Sequence, residues 1–289
     1  MPEKAIDTHV HVWDIQQLEY PWLKGNTSIL NQTYRLAELE EERQKAGITA
    51  GILVQAANSL DDTAHMLRVA GSYPWIAGVV GWLPLEDPDA TARLLEENYK
   101  QDSLLVGVRH LIHDEPDTGW LLREEVLESL GLLAAHHLPY DLVGVQPAHI
   151  ETALRVAERW PELRMIFDHL NQPPIPTAQR GYTWERLMKI AAKHPQFYGK
   201  ISGLGTAAQK GREWTAADLE PCIEFALYHF GADRCCCGGD WPVSLLAGTY
   251  EKTWTAYRTV IAKYLDPDSQ TKVLYQNAER IYGLAPAIP

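Results

Sequence analysis

Short β-rich runs alternate with longer stretches of helical period along the whole chain. The runs are Ala5 to His11, Thr49 to Gln55, Ile76 to Leu83, Leu105 to Leu111, Pro139 to Gly144, Arg164 to His169, Phe197 to Gly203 and Arg234 to Asp240. The helical stretches are Leu36 to Ala46, Ser59 to Ser72, Ala90 to Gln101, Glu124 to His136, His149 to Trp160, Trp184 to Lys193, Ala216 to Phe230 and Tyr250 to Tyr264. Strands alternating with helices imply parallel pairing through right-handed crossovers, and eight such units close a (β/α)8 barrel of the TIM type, an α/β fold. A doubly wound open sheet is the competing architecture. Its dinucleotide-binding version is weakened because no Gly-x-Gly-x-x-Gly follows the first run. Val273 to Leu284 predicts a closing helix that holds Tyr275, Ile281 and Tyr282 against the barrel. The proline-dense stretch Gln172 to Thr177 predicts a rigid loop after the sixth strand.

Active sites of such barrels gather at the C-terminal ends of the strands. Polar residues recur there: His9 and His11 in the first run, Arg109 and His110 in the fourth, His169 in the sixth, Lys200 and Ser202 in the seventh, Asp240 in the eighth. Side chains two apart on a strand share a face, so His9 and His11 converge on one point. Such a pair can hold a metal or polarise a carbonyl. An isolated His-x-His is more often two core histidines, and it is the coincidence of several strand ends that favours chemistry. By contrast, His136 and His137 precede the fifth strand, at the opposite rim, and His65, His194 and His229 lie on or beside helices. These five read as solvated or structural.

A chain of 289 residues, 46% hydrophobic, buries a large core, and one domain spanning residues 1–289 is expected. The net charge of −12 argues against nucleic acid or an anionic membrane surface as partner. With no signal-like N-terminus and no membrane-length apolar run, a cytoplasmic location is expected. The four cysteines, Cys222 and the consecutive Cys235, Cys236 and Cys237, lack the spacing of a zinc cage or disulfide framework and read as small buried apolar residues.

The motifs around Asp7, His9, His11 and Trp13, around Gly107 to Leu111, around Phe167 to Leu170, and from Gly239 to Pro242 resemble the amidohydrolase superfamily over essentially the whole chain. More narrowly they resemble its lactone-hydrolysing branch, which includes L-fuconolactonase, L-rhamnonolactonase and 2-pyrone-4,6-dicarboxylate lactonase. The resemblance implies a distorted barrel of the amidohydrolase type. It also implies opening of a sugar lactone, with L-fuconolactone or a related six-carbon lactone as the leading substrate. Two departures matter. The run Leu104 to Leu111 lacks the lysine that bridges two metals in binuclear members, and Pro139 to Gly144 lacks their histidine, which argues against a binuclear centre. His9, His11, His169 and Asp240 remain. They suffice for one zinc ion and equally for hydrolysis without a metal, so no cofactor is obligatory.

Lactone opening needs water delivered to a carbonyl and charge stabilisation on its oxygen. Asp240 is assigned as general base, set beside the histidine pair after two glycines that admit close backbone approach; its structural alternative is a turn or helix cap. His9, His11 and His169 would polarise the carbonyl, directly or through zinc. For His169 taken alone, a hydrogen bond to the neighbouring loop is nearly as good a reading. Arg109 is a candidate substrate contact, or else a buried salt bridge to Asp114 or Glu115. Trp13, Trp22, Trp82 and Trp241 are candidate platforms for the C–H face of a sugar lactone, with Trp241 favoured, or else loop anchors. Lys200 and Ser202 either contact substrate hydroxyls or bond within the barrel. His110 is a further candidate contact, unless strand alternation turns it away. The expected partner is therefore a small-molecule sugar lactone, with self-association left open. Two other functions fit the same residues: a metal-dependent decarboxylase of the superfamily, for which Arg109 would anchor a carboxylate, and a non-catalytic barrel that binds a sugar acid.

Overall fold

The computed structural model describes residues 4–98, 104–175 and 182–284. Eight strands form a single parallel sheet in sequence order: β1 Ala5–Val10, β2 Ile48–Val54, β3 Ile76–Gly81, β4 Leu105–His110, β5 Tyr140–Leu142, β6 Met165–Phe167, β7 Phe197–Ile201 and β8 Cys235–Cys237. The ring closes between β8 and β1 mainly at the mouth. Val10 forms a parallel bridge with Trp241, the His11 N–H donates to the Trp241 carbonyl at 2.7 Å, and the Asp240 N–H donates to the His9 carbonyl at 2.8 Å. Register shifts interrupt the β1–β2, β2–β3 and β3–β4 ladders, so the (β/α)8 barrel is distorted on that side.

The helices are α1 Glu40–Lys45, α2 Leu60–Ser72, α3 Pro88–Arg93, α4 Glu124–Ala135, α5 Pro147–Arg159, α6 Tyr182–Ala191, α7 Leu204–Ala207, α8 Ala216–His229, α9 Tyr250–Tyr264, α10 Pro267–Thr271 and α11 Asn277–Tyr282. Ser59, at the start of the second helical stretch, is the cap of α2: its hydroxyl accepts the N–H groups of Asp61 and Asp62. Three stretches depart from expectation. Leu36 to Ala46 divides into a 3-10 turn, Leu36–Glu38, and the short α1. The stretch predicted from Ala90 starts earlier, at Pro88 behind the Asp87 cap, and widens into a π turn, Leu94–Asn98; the rest of that prediction lies outside the described residues, as do Pro176 and Thr177 of the proline-dense stretch. The closing helix is interrupted by a π turn, Lys272–Gln276, before α11. No helix among the described residues is long and apolar enough to cross a membrane.

Two apolar layers stabilise this ring. One packs the outer faces of the strands against the helices. The other fills the barrel with Ile6, Ala50, Ile52, Val80, Ile166 and Cys236, and Ile281 and Tyr282 of α11 join it, so α11 plugs the end opposite the mouth. Alternation along β8 sends Cys236 inward and its neighbours Cys235 and Cys237 outward, and the cysteines are buried and unbridged. Fully buried aliphatic side chains each contribute about 1.5–3 kcal/mol to this packing. The layers therefore hold the strand ends rigidly enough to carry a polar centre.

Candidate active site

At the strand C-termini lies a cavity of about 230 Å³, lined by His11, Arg109, His169 and Asp240 with Trp13 and Trp22 among its walls. That is below the roughly 300–1,000 Å³ of pockets for drug-sized ligands, and suits a single small ring. Asp7 builds its floor: Oδ1 accepts the N–H groups of His9 (2.9 Å) and Gly239 (2.8 Å), and Oδ2 accepts the Tyr250 hydroxyl (2.7 Å). Burial, opposed by those three bonds, pushes the Asp7 carboxyl up to about 6. The brace ties β1 to the segment after β8. A Cβ at Gly238 would stand 2.5 Å from that of His9, and one at Gly239 would lie 2.4 Å from the Tyr250 ring, so only glycines admit this approach. Asp240 emerges next, at φ 55°.

The histidine pair converges as the strand geometry predicts. His11 Nδ1 lies 2.7 Å from the Val54 carbonyl, which can only accept, so Nδ1 donates there and Nε2 faces Asp240 Oδ1 at 3.5 Å. His9 is fully buried. Its Nδ1 lies 3.5 Å from Asp168 Oδ1, and its Nε2 lies 3.8 Å from Asp240 Oδ1 and 3.3 Å from Arg109 Nη1.

Beneath the cavity is a buried charge network. Arg109 Nη1 donates to Asp168 Oδ2 at 3.0 Å, and Nη2 donates to Gln55. Lys200 lies 2.8 Å from Asp168 Oδ1 and donates to Asp141, which also accepts the Tyr282 hydroxyl from α11 at 2.9 Å. Burial disfavours the charge on Lys200, but Asp141 and Asp168 outweigh it and hold the ammonium above its usual range. Burial likewise opposes ionisation of Asp168, yet Lys200, His9 and Arg109 hold its carboxyl well below normal. Asp141 is pushed up to about 6, by burial first and partly by Asp168, with Lys200 opposing.

His169 reaches the cavity through unusual backbone. His169, Leu170, Asn171 and Gln172 all have φ between 51° and 55°, a left-handed turn that costs roughly 1–2 kcal/mol per non-glycine residue. Strain of this kind concentrates at functional sites. The Ser202 hydroxyl lies 2.8 Å from His169 Nδ1 and accepts the His169 backbone N–H at 3.2 Å. Gly203, at φ 59°, packs under both groups: a Cβ there would meet His169 Nδ1 at 2.5 Å and Asp240 Oδ2 at 3.1 Å. Gly203→Ala is therefore expected to lower kcat about 100-fold, as displacements near 1 Å do, with a smaller loss of thermal stability. Steady-state kinetics alongside a melting curve separates the two effects.

Burial is the largest influence on His9, His110, His113 and His169, and each is held below the ordinary histidine value. The fold thus keeps neutral imidazoles that the unfolded chain would protonate. Their contribution to stability is present above about pH 6.5 and is lost as pH falls. Asp7 and Asp141, raised to about 6, act with the opposite sign, favouring the fold at low pH and losing that contribution as pH rises through 6. The histidines are more numerous, so melting temperature is expected to fall between about pH 7.5 and 5.5. A pH series of calorimetric melts checks this; a rise over that window would show the carboxyls dominating.

Other expected contacts fall in two groups. Trp13 and Trp22 line the cavity, packed edge to face at 5.1 Å. Four residues stand away from its wall. Lys200 is enclosed in the charge network. Trp241 is 2% exposed and packs against Tyr34. His110 turns outward, as alternation allows: it accepts the Trp82 indole N–H at 3.0 Å, pairs with Glu115 at 2.8 Å and stacks on Trp120, which also fixes Trp82 outside. Arg109 does form a buried salt bridge, but to Asp168 rather than Asp114 or Glu115, because those two follow the strand on the turn above it. Among residues given no site role from sequence, Asp168 and Asp141 carry the charge network and His113 lines the cavity; Asp114, weighed only as a partner of Arg109, lines it too. The sequence signals for the carboxylates were an ionisable Asp141 inside an apolar strand and the place of Asp168 within the Phe167 to Leu170 motif.

His9, His11 and Asp240 could together hold one divalent ion if their ligand atoms drew closer. One ligand atom each from His9, His11 and Asp240 lies within 4.8 Å of the others, and tetrahedral zinc with bonds of about 2.0–2.2 Å spaces its ligands at roughly 3.3–3.6 Å. His169, expected as a fourth ligand, stands outside this set, and its Nδ1 faces the Ser202 hydroxyl at 2.8 Å.

The chain is similar to known proteins along nearly its whole length. Residues 6–284 match the family model described as amidohydrolase. The L-fucono-1,5-lactonase of Burkholderia ambifaria is 32% identical over 283 residues, covering 96% of this chain and 95% of that protein. An amidohydrolase from Burkholderia multivorans, crystallised with bound HEPES, superposes with a TM-score of 0.89 at 28% identity, covering 98% of this chain and 100% of that one. A second crystal form from that organism, with bound zinc, gives the same TM-score of 0.89.

Proposed function

The chain belongs to the amidohydrolase family, and from that premise we propose that it hydrolyses a sugar lactone, L-fucono-1,5-lactone or a close six-carbon aldonolactone. The observation that carries this reading is the convergence of Asp240 with the buried imidazoles of His11 and His169 on one small cavity, with His9 buried beside them. The relative's activity supports the substrate class.

In this reading Asp240 accepts a proton from water as its oxygen adds to the lactone carbonyl carbon. The Ser202 hydroxyl donates to His169 Nδ1, which leaves the His169 Nε2–H to stabilise the developing oxyanion. Collapse of the tetrahedral intermediate breaks the bond from the carbonyl carbon to the ring oxygen, and the proton held by Asp240 passes to that oxygen. The product is an open-chain sugar acid. Arg109, held by Asp168 and Gln55, fixes the His9 ring. When bound by His9, His11 and Asp240, a zinc ion would add Lewis-acid polarisation and acidify water.

A decarboxylase would need a cation free to anchor the substrate carboxylate. Arg109 is the one Lys or Arg on the cavity wall among the described residues, and it is already neutralised by Asp168. This favours a neutral substrate. The test is pH-indicator detection of acid release from freshly prepared aldonolactones, using protein stripped of metal and protein reloaded with zinc. Hydrolysis above the spontaneous rate is expected. Activity in the stripped sample would assign polarisation to the imidazoles, and activity only after zinc would give His9, His11 and Asp240 a ligand role. Carbon dioxide release from an unsaturated acid, with no lactone turnover, would overturn the reading.

A further inference from the structure

The turn Ile112–Asp114, directly after β4, places His113 and Asp114 on the cavity wall that also carries Arg109, His169 and Asp240. His113 Nδ1 lies 3.3 Å from the Val143 carbonyl, which can only accept, so the proton is on Nδ1 and Nε2 presents a lone pair. Burial holds this imidazole below its ordinary value, against the pull of Asp114, and so favours the neutral ring. Nε2 and the Asp114 carboxylate stand 3.6 Å apart. Among the described residues no donor hydrogen-bonds the Asp114 carboxylate. Two neighbouring acceptors on a cavity wall are complementary to two neighbouring donors on a ligand.

We propose that His113 and Asp114 determine substrate specificity by accepting hydrogen bonds from adjacent ring hydroxyls, which selects polyhydroxylated lactones over bare lactone rings. This rests on the lactonase reading and deepens it. The reacting carbonyl lies against Asp240 and His169, and the hydroxyl-bearing edge of the ring lies against the His113–Asp114 wall. Asp114 is half exposed, so substituting it leaves the core undisturbed.

The test compares kcat/KM of wild type, Asp114→Asn and His113→Phe on a hydroxylated six-carbon 1,5-lactone and on δ-valerolactone, the same ring without hydroxyls. Asp114→Asn is expected to lose about 10- to 100-fold on the hydroxylated lactone, the range for a hydrogen bond to a charged group, and His113→Phe about 3- to 10-fold. Both should change the bare-ring value by less than about threefold, within the effect of a neutral hydrogen bond. Equal losses on the two substrates would show a structural role, and unchanged values on both would show no contact; either overturns the proposal. Turnover of neither substrate by wild type would instead overturn the lactonase reading on which it depends.

Discussion

Asp240→Asn is expected to abolish most lactone hydrolysis, by about 10²–10⁴-fold in kcat, with the protein still folded. The substitution keeps the size and the acceptor oxygen of the side chain. Asparagine also tolerates the left-handed backbone at φ 55° better than most residues. The backbone bonds from Asp240 N–H to the His9 carbonyl and from Ser244 N–H to the Asp240 carbonyl are untouched. What is lost is the only carboxylate among the described residues that faces both His9 and His11 at the cavity, and with it the base that takes the proton from water. Kinetics with a melting curve checks both halves. Wild-type turnover in a folded Asp240→Asn protein would remove this residue from the mechanism.

Lys200→Met should be the most destabilising of the single substitutions considered, by about 3–5 kcal/mol, because it leaves Asp141 and Asp168 buried without their shared cation. In a protein of this size that corresponds to a drop in melting temperature of roughly 10 °C. Activity should fall as well, since Asp168 orients both His9 and Arg109. Pairing the change with Asp141→Asn removes one of the stranded charges and should recover part of the stability. If Lys200→Met alone melts within about 1 °C of wild type, the network contributes little and the core is held by apolar packing.

The barrel was legible because apolar runs alternate with helical stretches and several of the runs end in polar residues, a pattern carried by local sequence. The same holds for His9 and His11, whose convergence follows from a period of two, and for His110, which alternation turns outward. His169 was legible as a residue but not in its placement: nothing in the run His169 to Gln172 announces four left-handed residues without a glycine. The charge network was hidden for a different reason. Lys200 meets Asp141 and Asp168 only because β5, β6 and β7 are neighbours in the closed ring, and a buried charge discloses its partner only in three dimensions. Trp241 adjoins Asp240 in sequence yet packs against Tyr34, since the left-handed backbone at Asp240 breaks the strand geometry from which neighbouring side chains are read.

Hydrolysis of L-fucono-1,5-lactone in oxygen-18 water, followed by mass spectrometry of the acid formed above the spontaneous rate, tests most directly whether this cavity delivers water to a lactone carbonyl. The result expected is one labelled oxygen in the product carboxylate and none in the released hydroxyl. Label in the hydroxyl, or no enzyme-dependent acid from this or any other aldonolactone, would contradict it.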